Sequence, residues 1–181
     1  MRYLMIIALM FLACGGRKER DTFAKKEGVP MMHISVKDYG NITIELFPEE
    51  APKNVKNIVE LADKGFYNGL VFHRVIKGFV IQGGCPKGDG TGDPGYEIED
   101  EISPREKHLK GTVAMANHGP NTNGSQFYVC LDPLPRLDGR YTIIGRVVEG
   151  MDVVDRIGSV QTGQSDRPVE NVVMEKVWVD K

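Results

Sequence analysis

The chain has 181 residues, of which 41% are hydrophobic and 27% charged, and its formal net charge is −2. This length suits one domain with a short appendage, and the composition is that of an ordinary globular protein. A charge so close to neutral excludes the basic field that nucleic-acid binding requires, so we expect no nucleic-acid partner.

The N-terminus differs from the rest of the chain and indicates export. Arg2 precedes a purely apolar run over residues 3–13, and Cys14 follows that run. A positive start, an apolar stretch and a small residue before the break predict a signal peptide over residues 1–13. The apolar run is too short to cross a bilayer comfortably as a helix.

Residues 13–15 resemble a bacterial lipobox, in which the cysteine is lipidated and becomes the new first residue, although Phe11 and Leu12 depart from the usual pair before it. The resemblance implies a lipid on Cys14 and a membrane anchor facing the periplasm or the cell surface. Residues 14–30, polar and without apolar period, then form a flexible tether, and residues 31–181 form the domain. A signal peptide without a lipid, giving a soluble periplasmic protein, and a cytoplasmic leader remain open alternatives.

The apolar pattern of the domain predicts many short strands and two helices. Residues 34–47 alternate as a hairpin with one buried face, and residues 48–65 change to helical spacing, with Pro52 near the start. Further strands are predicted at residues 71–76, 79–82, 112–116, 126–131, 142–148 and 172–179, a second helix at residues 151–157, and a loop at residues 83–95. This set predicts a mainly β fold, and a closed antiparallel barrel accounts for it. Because side chains fill a small barrel, a site must lie on its outer face.

The sequence contains no motif that is typical of a metal site, a phosphate-binding loop or a disulfide pair. His73, His108 and His118 lack metal-ligand spacing, so we expect no metal and no cofactor. Residues 88–92 are rich in glycine but lack the ending of a phosphate-binding loop. Cys85 and Cys130 do not suggest a pair, so both are expected to be free thiols.

Two segments carry the most specific pattern. Residues 72–84 read FHRVIKGFVIQGG, and residues 115–127 read MANHGPNTNGSQF. They closely resemble the two signature segments of the cyclophilins, which are peptidyl-prolyl cis-trans isomerases, and the resemblance extends over residues 32–179. It implies a closed antiparallel eight-stranded barrel capped by two α-helices. It also implies isomerase activity (EC 5.2.1.8), with proline-containing peptides and unfolded or exported proteins as clients of a monomer.

The same resemblance implies the site residues. It gives catalytic roles to Arg74, Gln82 and Gln126. The substrate-binding residues that it implies are Phe79, Val80, Ala116, Asn117, His118, Phe127, Leu137 and Tyr141. Twisting a prolyl bond breaks its resonance and leaves a lone pair on nitrogen, so a rigid cation such as Arg74 stabilises the twisted state most. A proline-recognising scaffold or chaperone with incidental activity is the alternative.

Four positions depart from the usual family pattern. Val80 stands where methionine is frequent, Arg136 where many members carry tryptophan, Tyr141 where histidine is frequent, and His118 in place of a small residue. The catalytic residues are kept, so we expect isomerisation to survive. The tryptophan is important for the immunosuppressant cyclosporin, so we expect its binding to be weak.

Overall fold

The structure is a computed structural model that describes residues 28–180. The predicted signal peptide over residues 1–13, the predicted lipidation site Cys14 and most of the predicted tether lie outside the described residues. Within residues 28–180, no helix is long and apolar enough to cross a membrane.

Eight strands and two α-helices organise residues 28–180. The strands are β1 (Met31–Val36), β2 (Gly40–Leu46), β3 (Arg74–Ile76), β4 (Val80–Gly83), β5 (Thr112–Met115), β6 (Phe127–Cys130), β7 (Ile143–Glu149) and β8 (Met174–Asp180). The helices are α1 (Pro52–Asp63) and α2 (Met151–Ile157), and short 3₁₀ turns cover Pro135–Leu137 and Gln164–Asp166. The prediction of a mainly β fold with two helices is confirmed. The strand predicted over residues 71–76 is shorter than expected, because regular pairing begins only at Arg74.

The strands form one antiparallel sheet in the order β3-β4-β6-β5-β7-β2-β1-β8. Its end strands, β3 and β8, share no ladder. The segment before β3 pairs briefly with the chain around the start of β8, through a bridge between Val71 and Val173. The N–H groups of Met174 and Phe72 donate to the carbonyls of Leu70 at 2.8 Å and Val172 at 3.0 Å. The sheet is therefore curled, and the full barrel closure predicted from the sequence is not shown.

One face of the curled sheet carries the main hydrophobic core. Ile34, Ile42 and Ile44 of the β1–β2 hairpin are fully buried, because alternate residues of a strand point to one face. Helix α1 packs near β8 and contributes Ile58, while α2 packs near β2 and contributes Val154. With this face filled, the opposite face is available for a site.

A glycine brings the two signature segments together. Gly84 has a φ of +84°, and a β-carbon there would overlap the carbonyl oxygen of Ser125. Only glycine tolerates both conditions without strain. The Ser125 hydroxyl donates to the Gly84 carbonyl at 2.7 Å, which fixes the end of β4 beside the start of β6.

Candidate active site

A cavity of about 830 Å³ opens on the outer face of the sheet, where the sequence placed the site. The predicted site residues that line it are Arg74, Gln82, Phe79, Val80, Ala116, Asn117, His118, Leu137 and Tyr141. Both signature segments therefore contribute to one concave surface.

A chain of side-chain hydrogen bonds holds Arg74. The β3–β4 register places Arg74 opposite Gln82, and Arg74 Nη1 donates to Gln82 Oε1 at 3.2 Å. Gln82 Nε2 donates in turn to Gln126 Oε1 at 3.1 Å. Gln126 Nε2 donates to the carbonyls of Gly90 and Gly92, both at 2.9 Å. Each amide thus orients the next, and Gln126 acts on Arg74 through Gln82. Gln126 does not itself line this cavity.

Phe127, predicted to bind substrate, does not reach the cavity. It is fully buried in the main core, with its ring centroid 5.8 Å from that of Tyr67 and 6.4 Å from that of Phe72. Its neighbour Tyr128 lines the cavity instead and pairs with Gln82 across the β4–β6 ladder. Strand alternation explains the correction, because adjacent residues of β6 point to opposite faces of the sheet. That alternation was readable in the sequence and would have indicated Tyr128.

Behind Tyr128 lies a hydrogen-bonded trio, in which Tyr128 and His108 are buried and Asp138 is partly exposed. His108 Nε2 lies 2.9 Å from the Tyr128 hydroxyl, and His108 Nδ1 lies 3.0 Å from Asp138 Oδ1. The Tyr128 and Tyr141 rings meet edge to face, with centroids 5.9 Å apart. No sequence motif links His108 to Asp138, which is why this trio was missed.

Burial sets the protonation of His108 and Tyr128. Desolvation lowers the pKa of His108, although Asp138 acts in the opposite direction. Burial also raises the pKa of Tyr128, so its hydroxyl stays protonated. The neutral imidazole then donates from Nδ1 to the Asp138 carboxylate and accepts at Nε2 from the Tyr128 hydroxyl. Tyr128 thus presents its ring to the cavity while its hydroxyl is engaged behind it.

Arg136 covers the outer side of the Phe79 wall. Its Cζ atom lies 4.5 Å from the centroid of the Phe79 ring, within cation–π distance. The side chain that replaces the family's frequent tryptophan is therefore a cation stacked on the rim.

His73 is a further cavity residue without an expected role. It is only 6% exposed, and neither ring nitrogen has a hydrogen-bond partner. Desolvation lowers its pKa, which favours the neutral ring beside Arg74. Within the described part of the chain, no group of three histidine, cysteine or acidic side chains could hold a metal ion. Cys85 and Cys130 are both buried free thiols, as predicted.

The Gln164–Asp166 turn also reaches the cavity, which the sequence did not indicate. Asp166 Oδ2 lies 3.6 Å from Arg74 Nε, and the neighbouring Arg167 lines the same wall. These residues lie far along the chain from both signature segments, so neither spacing nor motif pointed to them.

Comparison with known proteins identifies the family. The family model described as "Cyclophilin type peptidyl-prolyl cis-trans isomerase/CLD" matches residues 31–179. The chain belongs to the cyclophilin-type peptidyl-prolyl cis-trans isomerases. This cyclophilin is 45% identical over 153 residues to peptidyl-prolyl cis-trans isomerase CYP18-2 of Arabidopsis thaliana, which covers 82% of this chain and 93% of the relative. It is 50% identical over 143 residues to peptidyl-prolyl cis-trans isomerase-like 1 of Homo sapiens, which covers 77% of this chain and 86% of the relative.

Solved structures agree with this family. A crystal structure of a Cryptosporidium parvum cyclophilin type peptidyl-prolyl cis-trans isomerase matches with a TM-score of 0.81 and 34% identity, covering 84% of this chain and 98% of that one. Another structure of the same protein was obtained in the presence of the dipeptide Ala-Pro. This cyclophilin is thus an enzyme of class EC 5.2.1.8. The relatives named here are eukaryotic, so they lend no support to the predicted bacterial lipoprotein form.

Proposed function

We propose that this cyclophilin accelerates rotation about X-Pro bonds by stabilising the twisted amide through the Arg74 guanidinium. The observation that carries the proposal is the placement of Arg74 on the cavity wall, with Nη1 held by Gln82 at 3.2 Å. Twisting the amide localises a lone pair on the proline nitrogen. A positioned cationic donor stabilises that state more than either planar state, and this difference lowers the barrier.

The magnitudes require more than Arg74. Uncatalysed exchange takes tens to hundreds of seconds, so a rate of about 10²–10³ s⁻¹ removes about 5–7 kcal/mol from the barrier. A charge-assisted hydrogen bond contributes roughly 1.5–3 kcal/mol. The remainder comes from holding the flanking peptide still and from excluding water around the proline ring.

The rest of the cavity supplies these contributions. Phe79 and Leu137 offer apolar walls to the proline ring of a peptide substrate. Asn117 also lines the cavity, and its side-chain amide already donates to Asp100 at 3.2 Å and to Asn123 at 3.3 Å. We therefore assign the grip on the flanking peptide to the Asn117 backbone. Val80, Ala116, His118 and Tyr141 complete the proposed substrate surface, and Gln126 acts through Gln82.

Arginine variants of the full chain test the mechanism in a protease-coupled assay with a proline peptide. Arg74→Ala is expected to lower kcat/KM about 10- to 150-fold, which corresponds to one charge-assisted hydrogen bond. Arg74→Lys should fall between, because lysine keeps the charge but lacks the rigid fork. Arg140→Ala, at an exposed arginine outside the cavity, is the matched control.

Equal rates for wild type and Arg74→Ala would reject the mechanism. The scaffold alternative makes a different prediction. An inactive Arg74→Ala variant that still binds proline peptides and still assists refolding of a proline-limited client would favour a proline-recognising chaperone.

We also propose that the protein is exported and anchored to a membrane by a lipid on Cys14. Unfolded exported proteins are then its clients, and the domain acts as a monomer. The support for export and for the lipid is the N-terminal sequence alone: Arg2, the apolar residues 3–13 and the cysteine after them. Labelling cells with a radioactive fatty acid tests the anchor, and label is expected on wild type but not on Cys14→Ser. Equal label on both proteins would rule out lipidation of Cys14. Size-exclusion chromatography measures the oligomeric state, and a monomer is expected.

We expect cyclosporin to bind weakly because of the residue at position 136 on the cavity rim. Arg136, stacked on Phe79, replaces a tryptophan that many family members use for this ligand. Cyclosporin is expected to inhibit the purified protein poorly and to inhibit Arg136→Trp better. Tight inhibition of the wild-type protein would contradict this proposal.

A further inference from the structure

Arg74 is contacted from two sides. Gln82 Oε1 accepts from Nη1 at 3.2 Å, and Asp166 Oδ2 lies 3.6 Å from Nε. The two partners thus engage different nitrogens of one planar group. Neither of these two contacts involves Nη2.

The loop that carries Asp166 is braced internally. In the 161–169 loop, the Gly163 N–H donates to the Arg167 carbonyl at 2.8 Å, and the Val169 N–H donates to the Gln161 carbonyl at 2.9 Å. At its tip Ser165 and Asp166 have φ values of +58° and +59°. Few residues with a β-carbon adopt this left-handed region, although aspartate does so more readily than most.

The 161–169 loop is also hydrogen-bonded to residues 88–92, the segment that supports Gln82 through Gln126. Arg167 Nη1 donates to the carbonyl of Gly88 at 3.0 Å, and residues 88–92 also carry the carbonyls that accept from Gln126. A closed circuit therefore runs from Arg74 through Gln82 and Gln126 to residues 88–92. It returns through Arg167 and Asp166, so the groups that contact the partly exposed guanidinium all belong to one connected structure.

We propose that Asp166 is a positioning residue for Arg74, whose carboxylate and the Gln82 amide together hold the guanidinium so that its remaining N–H groups face the rotating prolyl bond. The inference rests on the proposed role of Arg74 as the stabilising cation. Arginine has many rotamers, and a cation that is already oriented needs no reorganisation as the substrate twists.

The solvent exposure of the Arg74–Asp166 ion pair distinguishes a positioning role from a role in folding stability. The side chains of Arg74 and Asp166 are 39% and 48% exposed, and ion pairs so accessible to water add little to folding stability. Loss of the carboxylate should therefore appear in the rate and not in the melting temperature.

Two substitutions in the full chain test the proposal. Asp166→Gly removes the carboxylate and suits a φ of +59°, so the melting temperature should equal or exceed that of wild type. Its kcat is expected to fall about 5- to 20-fold with KM within about twofold, because a cation that is no longer held in position stabilises the twisted bond less. Asp166→Asn keeps a polar oxygen near Arg74 Nε without the negative charge and should lose only about two- to fourfold, since a neutral partner still attracts the guanidinium, though less strongly.

The control is Glu170→Ala, an exposed acid four residues along the chain that does not line the cavity and should leave kcat unchanged. The Arg74 Nε–Hε signal in ¹⁵N NMR reports orientation directly. Its chemical shift is expected to change in Asp166→Gly, because the carboxylate lies 3.6 Å from Nε in the wild-type protein.

Three outcomes are distinguishable. Wild-type kcat in Asp166→Gly, with Arg74→Ala inactive, overturns the positioning role and leaves the proposed function intact. Wild-type activity in Arg74→Ala rejects the proposed function itself. A lowered melting temperature in Asp166→Gly with an unchanged Nε–Hε signal assigns Asp166 a merely structural role and also overturns the inference.

Discussion

The cavity has a polar side and an aromatic side, and the two are built differently. On the polar side, Arg74 and Gln82 are half-buried, and their hydrogen bonds run to the carbonyls of a surface loop. On the aromatic side, Tyr128 and His108 are 5% and 1% exposed, and their hydrogen bonds run to Asp138. The polar side should therefore control the rate of bond rotation, while the aromatic side should contribute to the stability of the fold and to the apolar surface that receives proline.

The largest effect is expected from removing the Tyr128 ring. Tyr128→Ala should lower the free energy of unfolding by about 3–5 kcal/mol, because a buried aromatic side chain leaves a cavity that its neighbours fill only partly. Urea unfolding measures the change. A loss below about 1 kcal/mol would show that the aromatic side is not part of the stabilising core.

Removing only the Tyr128 hydroxyl should have an intermediate effect. Tyr128→Phe keeps the cavity surface but leaves His108 Nε2 buried without its donor, which costs roughly 1–3 kcal/mol of stability. Activity should stay close to wild type in the folded protein. Tyr141→Phe, on the neighbouring half-buried ring, is the control, and an equal loss in both variants would argue against the hydrogen-bonded trio.

On the polar side, Gln82→Leu should reverse this pattern. The variant removes the hydrogen bonds to Arg74 and Gln126 while keeping a similar volume. We expect kcat/KM to fall about tenfold, or roughly 1.4 kcal/mol in the barrier. The unfolding free energy should fall by only about 1 kcal/mol, the cost of leaving Gln126 Oε1 without its donor. A stability loss as large as that of Tyr128→Phe, with activity retained, would remove the contrast between the two sides.

The smallest effect is a dependence of stability on pH. The pKa of folded His108 lies below its ordinary value of 6.5, chiefly because of burial, so the unfolded chain takes up the proton first. Stability from this group is complete above pH 6.5 and is lost as the pH falls towards the folded pKa, by at most about 1.4 kcal/mol per pH unit.

Urea unfolding between neutral and mildly acid pH measures this slope. His108→Gln should flatten it, and His73→Gln should remove a further part, because burial also lowers the pKa of His73. Hydrogen bonds from the His108 backbone and ring keep the pKa of Asp138 below 3.8 despite burial, so Asp138 contributes only at more acid pH. An unchanged slope in both histidine variants would contradict a neutral, buried His108.

Local patterns in the sequence determined most of the fold. Alternation over residues 34–47 and helical spacing over residues 151–157 reproduce the first hairpin and helix α2, because burial of one face sets these periods directly. The segment before Arg74 was overextended as a strand, since its backbone bonds go to residues near Val172 and not to a regular ladder. Whether a sheet closes depends on such distant pairing, which no local period encodes.

For the site, the sequence by itself determined the family and most of the cavity wall, because the two signature segments carry Arg74, Phe79, Gln82 and Asn117 within short stretches of chain. Only the tertiary structure decided which partners surround them. The orientation of β6 shows that Tyr128, and not Phe127, lines the cavity. His108 is hydrogen-bonded to Asp138, 30 residues further along the chain. Asp166 reached Arg74 from a loop near the C-terminus. These contacts join residues far apart in sequence, and chain folding sets such distances where residue spacing cannot.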